Sequence, residues 1–248
     1  MRLLICGEGE REGWLKRLCL KRGHSLPDHG PWDLAVLPLP RSEITEEWAA
    51  QLPRGQKVVC ALTKPSFDAL AQRRGWRLFR VLEDEAYTQE NACLTAEGAL
   101  FAAAAHLNRA YQGCRCLVLG YGRIGKELTR LLRCLGAQVT VAARREESRK
   151  AAGENSVSME EIATVLPAME VIFNTVPAQV LGEDELLLVP AFCPVIELAS
   201  PPYGLDLDAA LRLNVKLFLE SGLPGRYCPQ SAAEALLRYI EREALKNE

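Results

Sequence analysis

Histidine is scarce in this 248-residue chain, occurring only at positions 24, 29 and 106. That narrows the acid–base chemistry available near neutral pH, because imidazole is the side chain whose ordinary pKa lies there. No segment is apolar over the roughly 20 residues that a membrane-spanning helix needs. The N-terminus opens on a strand-like run, Arg2-Leu3-Leu4-Ile5-Cys6, instead of a basic segment followed by a long apolar one. A cytoplasmic protein without a membrane partner is expected. A large charge of either sign is also missing: the formal net charge of −2 offers no basic surface for nucleic acid. Cysteine is present but unpatterned, with nine residues and no C-x-x-C spacing, which argues for reduced thiols in a reducing compartment. Cys114-x-Cys116 has neither a second pair nor an adjacent histidine, so no metal is assigned.

What the chain does have is 48% hydrophobic content, enough for two small domains with cores of their own. It is organised around Cys116-Leu117-Val118-Leu119-Gly120-Tyr121-Gly122-Arg123-Ile124-Gly125. Leu117, Val118 and Leu119 suit a strand buried on both faces, while Ile124, Leu128, Leu131, Leu132 and Leu135 recur at helical spacing. With a second strand at 138–143, this is the context in which G-x-G-x-x-G holds a dinucleotide. Gly120 allows the sharp turn, Gly122 admits a diphosphate to the backbone, and Gly125 lets the helix pack close to the strand. The helix N-terminus then faces the phosphates, with Tyr121, Arg123 and Ile124 completing the loop.

The end of the second strand bears on which nucleotide. NAD-binding chains place an acid there, about 20 residues past the glycines, to accept the ribose hydroxyls. Here Ala143 stands in that place, followed by Arg144 and Arg145. Guanidinium binds phosphate through charge-assisted, often bidentate bonds, so NADP(H) is the predicted cofactor. The other reading open at this point is that both arginines start a solvated helix with Glu146, Glu147 and Arg149.

The first third alternates strands at 2–6, 33–37, 57–62 and 77–81 with helices at 10–22, 43–51 and 66–74, the rhythm of a small parallel sheet wrapped by helices. Its first turn, Gly7-Glu8-Gly9-Glu10-Arg11-Glu12, imitates a dinucleotide loop, yet three acids would repel a diphosphate. That domain is read as the substrate side. An alanine-rich helix over 99–110 follows, with Thr95 as its N-cap. Its first-turn amides, with Thr95 and Asn91, are candidates to hold a substrate carboxylate; a capped helix start without a ligand is the equal alternative.

Beyond the glycine bend, a helix is predicted at 158–166 and strands at 169–177 and 194–199. They end in Asn174-Thr175-Val176-Pro177 and in Ala199-Ser200, at the carboxyl edge where open parallel sheets bind ligands. A helix at 206–213, a strand at 215–219 and a loop at 220–225 follow. The closing helix, 230–245, has Ala233, Leu236, Leu237 and Ile240 to bury. The predicted fold is α/β: two Rossmann-like, doubly wound parallel-sheet domains joined by a long bridging helix, with the C-terminal helix returning to the first domain. The predicted boundaries are 1–92 plus 229–248 for the substrate side, 93–111 for the bridging helix and 112–228 for the NADP-binding domain.

With these pieces in hand, the chain resembles the dipicolinate synthase A-subunit family of spore-forming bacteria. Residues 91–98 resemble the family's N-x-x-P-T-x-E-G, 119–125 its L-G-x-G-R-x-G, and 141–144 its V-x-A-R. Asn174-Thr175-Val176-Pro177 matches N-T-[IV]-P, Leu198-Ala199-Ser200 matches L-A-S, and Gly222-Leu223-Pro224-Gly225 matches G-L-P-G. Residues before Asn91 match poorly, Leu94 stands where the family has Pro, and Gln230 stands where Lys is common. The resemblance implies an NADP-dependent oxidation of a dihydropyridine dicarboxylate, dihydrodipicolinate, to dipicolinate during sporulation. It also implies a second, flavoprotein-like B-subunit as partner; a homo-oligomer is compatible with it. On that reading Glu97 serves as acid–base or orienting group, or simply favours the helix dipole. Thr95, Ser200 and Arg226, with Asn91, are the candidates for the substrate's charges. Two other readings stay open: another two-domain NADP-dependent dehydrogenase of hydroxy-acid or shikimate type, and a non-catalytic NADP(H)-binding protein.

Overall fold

The computed structural model describes residues 1–39, 45–61 and 63–245. The chain divides into two compact units, residues 1–94 with 224–248, and residues 95–223.

In the first unit β1 (Leu3–Ile5), α1 (Glu10–Lys21), β2 (Leu34–Val36), α2 (Glu46–Ala50), β3 (Lys57–Cys60), α3 (Pro65–Arg74) and β4 (Arg77–Arg80) follow in order. The strands pair in parallel as β1-β2-β3-β4. A one-residue parallel bridge, Arg2 to Ser25, extends the sheet on the other side of β1. After α1 the chain thus pairs on one flank of β1 and then crosses to the opposite flank for β2, the reversal that makes a sheet doubly wound. Helix placement agrees. Leu15 and Cys19 of α1, with Ala233, Leu236, Leu237 and Ile240 of the C-terminal helix, cover Leu3, Ile5, Leu34 and Val36. Ala49 of α2 and Phe67, Leu70 and Ala71 of α3 cover Ala35, Val58 and Cys60 on the other face. Residues 43, 44 and 62, at the ends of a predicted helix and a predicted strand, lie outside the described residues.

The long helix α4 (Glu85–Ala104) carries the chain into the second unit. There β5 (Arg115–Leu119), α5 (Arg123–Cys134), β6 (Gln138–Ala142), α6 (Glu146–Ala152), β7 (Ser156–Val157), α7 (Ile162–Val165), β8 (Val171–Asn174), α8 (Glu183–Leu187), β9 (Val195–Glu197), α9 (Leu207–Arg212) and β10 (Leu217–Leu219) form a parallel sheet ordered β10-β9-β8-β5-β6-β7. This is the full dinucleotide-binding order, with its reversal between β5 and β8. Side chains alternate along β5: Cys116 and Val118 pack with Ala99, Ala103, Leu128 and Leu132, while Leu117 and Leu119 pack with Ile162, Leu166 and Leu181. α10 (Leu223–Tyr227) and α11 (Pro229–Leu245) close the chain, and α11 returns to the first unit.

Three expectations need correction. The bridging helix does not start at Thr95 but at Glu85, because Asp84 caps it: its carboxylate accepts from the Tyr87 amide at 2.7 Å. Thr95 therefore lies mid-helix and buried, at 8% exposure, and the helix stops at Ala104, short of residue 110. The predicted loop at 220–225 turns helical from Leu223, whose side chain is buried so close to α4 that a Cβ on Gly98 would stand 2.8 Å from Leu223 Cβ. The helix predicted over 158–166 is a four-residue α7 between single 3-10 turns, preceded by the unforeseen edge strand β7.

Candidate functional site

The glycine bend joins β5 to α5 within the second unit. Gly120 has φ +96°, and a Cβ there would press on Thr175 Oγ1 and lie 2.9 Å from Val176 Cγ2. A Cβ on Gly125 would run into the Gly120 carbonyl. These two glycines are dictated by packing. Gly122, the N-cap of α5, differs: a Cβ there would meet nothing within 4 Å. The open space lies where backbone amides and the helix dipole together attract a diphosphate, so this bend fits a dinucleotide. Thr175 Oγ1 donates to the Leu119 carbonyl at 2.8 Å and ties the end of β8 to the bend. Tyr121 leans across the loop, its hydroxyl donating to the Ala151 carbonyl at 3.2 Å and its ring 5.8 Å from Lys126 Nζ. Arg123 is exposed and Ile124 half-buried in the first turn of α5.

The corresponding bend of the first unit is filled. Glu12, 9% exposed, folds its carboxylate back against Gly9 at the start of α1, where a Cβ would collide with it. Arg11 Nη2 donates to that carboxylate at 2.7 Å.

Past the end of β6, Ala143 is buried and Arg144 and Arg145 are exposed. Among the described residues neither guanidinium makes a hydrogen bond or ion pair. Arg149 is spent differently, with Nη1 donating to the Ala143 and Arg144 carbonyls at 2.8 and 2.7 Å. Glu146 pairs with Lys150. The segment is thus pinned by its backbone while two cations stand free at its tip.

At the carboxyl ends of β8 and β9, Asn174 and Glu197 are 0% and 1% exposed. Asn174 Nδ2 donates to both Glu197 carboxylate oxygens at 2.8 and 2.9 Å. The Ala199 and Gly204 amides donate to the same carboxylate at 2.8 and 3.0 Å. Burial pushes the Glu197 carboxyl above its ordinary pKa, against the downward pull of bonds from Asn174, Gly204 and Ala199. Sequence reasoning missed Glu197. The available signal was a lone acid inside the otherwise apolar run 194–199, a predicted strand that ends at the ligand edge.

The remaining candidates are dispersed. Asn91, Thr95 and Glu97 all lie on α4, half-buried, buried and exposed in turn. With the helix beginning at Glu85, its first-turn amides lie well before Thr95, so the predicted carboxylate site on free amides does not exist there. Ser200 and Pro177 are exposed in the turns after β9 and β8. Arg226, on α10, has its guanidinium 5.2 Å from the Tyr227 ring centre. His106 lies in the turn after α4, stacked on Phe218 at 3.5 Å between ring centres. Among the described residues no cluster of His, Cys, Asp and Glu could hold a metal ion, and no helix is long and apolar enough to cross a membrane.

Residues 85–184 match the family described as D-isomer specific 2-hydroxyacid dehydrogenase, NAD binding domain, which covers α4 and the glycine bend. Over 188 residues the chain is 25% identical to the A-subunit of dipicolinate synthase from Bacillus subtilis (strain 168), a match spanning 75% of this chain and 63% of that protein. The crystal structure of the dipicolinate synthase A-subunit from Bacillus halodurans superposes with a TM-score of 0.86 at 24% identity, covering 98% of this chain and 97% of that one. The chain resembles the dipicolinate synthase A-subunit in sequence and in fold. A D-lactate dehydrogenase from Salmonella shares the architecture more distantly, with a TM-score of 0.70 at 14% identity over 100% of this chain and 98% of that one. Residues 85–184, which hold the glycine bend, accordingly match a nicotinamide-dinucleotide-binding domain of the dehydrogenase type.

Proposed function

We propose that the chain is an NADP-dependent oxidoreductase of the dipicolinate synthase A-subunit type, oxidising a dihydropyridine dicarboxylate to dipicolinate. Under this reading it acts in the cytoplasm of a sporulating cell beside a flavoprotein-like B-subunit. The observation that carries the cofactor assignment is the unpaired couple Arg144 and Arg145 behind Ala143, where an acid would otherwise receive a ribose hydroxyl. When bound, the nicotinamide supplies the hydride acceptor.

The chain's own residues do the rest. Gly122 and the first amides of α5 seat the diphosphate, and Arg144 and Arg145 take the 2'-phosphate in charge-assisted bonds. Asn174, Thr175, Val176 and Pro177, with Ala199 and Ser200, border the nicotinamide end. Glu97 is assigned the proton lost as the ring becomes aromatic, Arg226 and Asn91 the substrate carboxylates, and Thr95 a contribution through its hydroxyl alone. Orienting the ring against the cofactor is the main contribution. The N-terminal unit takes the substrate side, since its own bend is filled by Glu12.

The domain match also favours a second reading, a 2-hydroxyacid dehydrogenase. Such an enzyme needs a histidine paired with a carboxylate, and no histidine follows position 106. One assay separates the readings: NADP⁺ with the heterocycle derived from aspartate semialdehyde, followed by the ultraviolet absorbance of dipicolinate. Dipicolinate formation supports the proposal, turnover of a 2-hydroxy acid supports the second reading, and binding without turnover leaves a non-catalytic nucleotide-binding protein. Each charge-assisted bond is worth about 1.5–3 kcal/mol. Arg144→Ala with Arg145→Ala should therefore weaken NADPH binding by at least about tenfold and leave NADH nearly unchanged. Tighter binding of NADH than NADPH by the parent would end the cofactor assignment.

A further inference from the structure

A carboxylate as buried as Glu197 ordinarily has a cation beside it or is replaced by an apolar residue. Glu197 has no ion-pair partner among the described residues; its bonds come from the neutral N–H groups of Asn174, Ala199 and Gly204. Those donors belong to two separate turns. Asn174 in addition locks its own turn, Oδ1 accepting from the Val176 amide at 3.1 Å and Nδ2 donating to the Val176 carbonyl at 3.0 Å. In the other turn, Tyr203 sits at φ +67°, a conformation costly for a bulky residue, immediately before the Gly204 amide that Glu197 holds. Gly204 itself has no room for a side chain, because a Cβ there would stand 2.6 Å from Asn174 Cγ. Such strain persists only where the surroundings over-determine it.

From this arrangement we infer that Glu197 is a positioning residue: it clamps turns 174–177 and 198–204 in the shape that receives the nicotinamide half of the dinucleotide. The other half depends on the glycine bend and the arginines instead. The inference rests on the reading of the second unit as an NADP(H) site. A glutamine at 197 presents one acceptor where the carboxylate presents two, and turns an NH2 group toward N–H donors.

The test compares NADPH with 2'-phospho-ADP-ribose, which lacks the nicotinamide, on the full-length chain. Glu197→Gln should weaken NADPH binding at least about tenfold while 2'-phospho-ADP-ribose keeps the parental affinity. Equal losses for both ligands mean a merely structural role and overturn the inference, as does no loss for either. A second measurement needs no variant: amide hydrogen exchange of residues 198–204 in the parent should slow with NADPH and not with 2'-phospho-ADP-ribose. Unchanged exchange with NADPH overturns the inference even if the variant fails to fold. A parent that binds neither ligand overturns the NADP(H) reading itself.

Discussion

Gly122 and Gly125 are three residues apart, yet adding one methyl should have opposite consequences at the two positions. At Gly122 the methyl enters empty space, so Gly122→Ala should shift stability by no more than about 0.5 kcal/mol. If the proposed dinucleotide binds at this bend, the same methyl would occupy the room for its diphosphate, and NADPH affinity should drop on the order of tenfold. At Gly125 the methyl meets a backbone carbonyl that cannot swing aside, and Gly125→Ala should cost about 1–3 kcal/mol in urea unfolding. Glu197 makes a prediction of another kind. Its raised pKa means that the folded chain holds this proton more tightly than the unfolded chain. Its contribution is full below the ordinary value of 4.5 and is lost as pH climbs through the raised value. The stability of the parent relative to Glu197→Gln should thus decline as pH rises above the ordinary carboxyl value of 4.5. A relative stability that grows with pH would mean that the carboxyl is depressed instead.

At the level of elements, α4 shows where local reading succeeds and where it stops. Thr95 followed by alanines has the composition of a capped helix start, but Glu85-Ala86-Tyr87-Thr88-Gln89-Glu90 is an equally willing helix, and Asp84 satisfies its amides first. Which of two competent caps prevails is settled by packing: Tyr87 and Ala92 are buried, so the extra turns add apolar contact. Asp84→Ala should cost about 1–2 kcal/mol in urea unfolding, from the lost cap together with its contact to Arg242. The strand–bend–helix at 115–134 was legible because every requirement lies within a few residues: apolar run, three glycines, helical periodicity. The clamp on β9 was not, because the meaning of Glu197 depends on Asn174, 23 positions away in sequence and adjacent only once β8 and β9 pair. The same holds for the Arg2–Ser25 bridge, a single residue too short to leave a pattern, which alone reverses the winding of the first sheet.

For the whole molecule, the alternation of short apolar runs with helical stretches was enough to foresee two parallel sheets and the return of the final helix to the first unit. Strand order lay beyond it, since periodicity says nothing about which neighbour a strand selects. The two units begin alike, each with a buried strand running into a glycine turn and a helix, yet the first supplies its own anion. Glu12 occupies the start of α1 much as a bound phosphate would, with Arg11 as its counter-ion. The duplication of shape is therefore not a duplication of appetite: calorimetric titration with NADPH should saturate at one equivalent per chain, and a second equivalent would mean that the tethered carboxylate can be displaced.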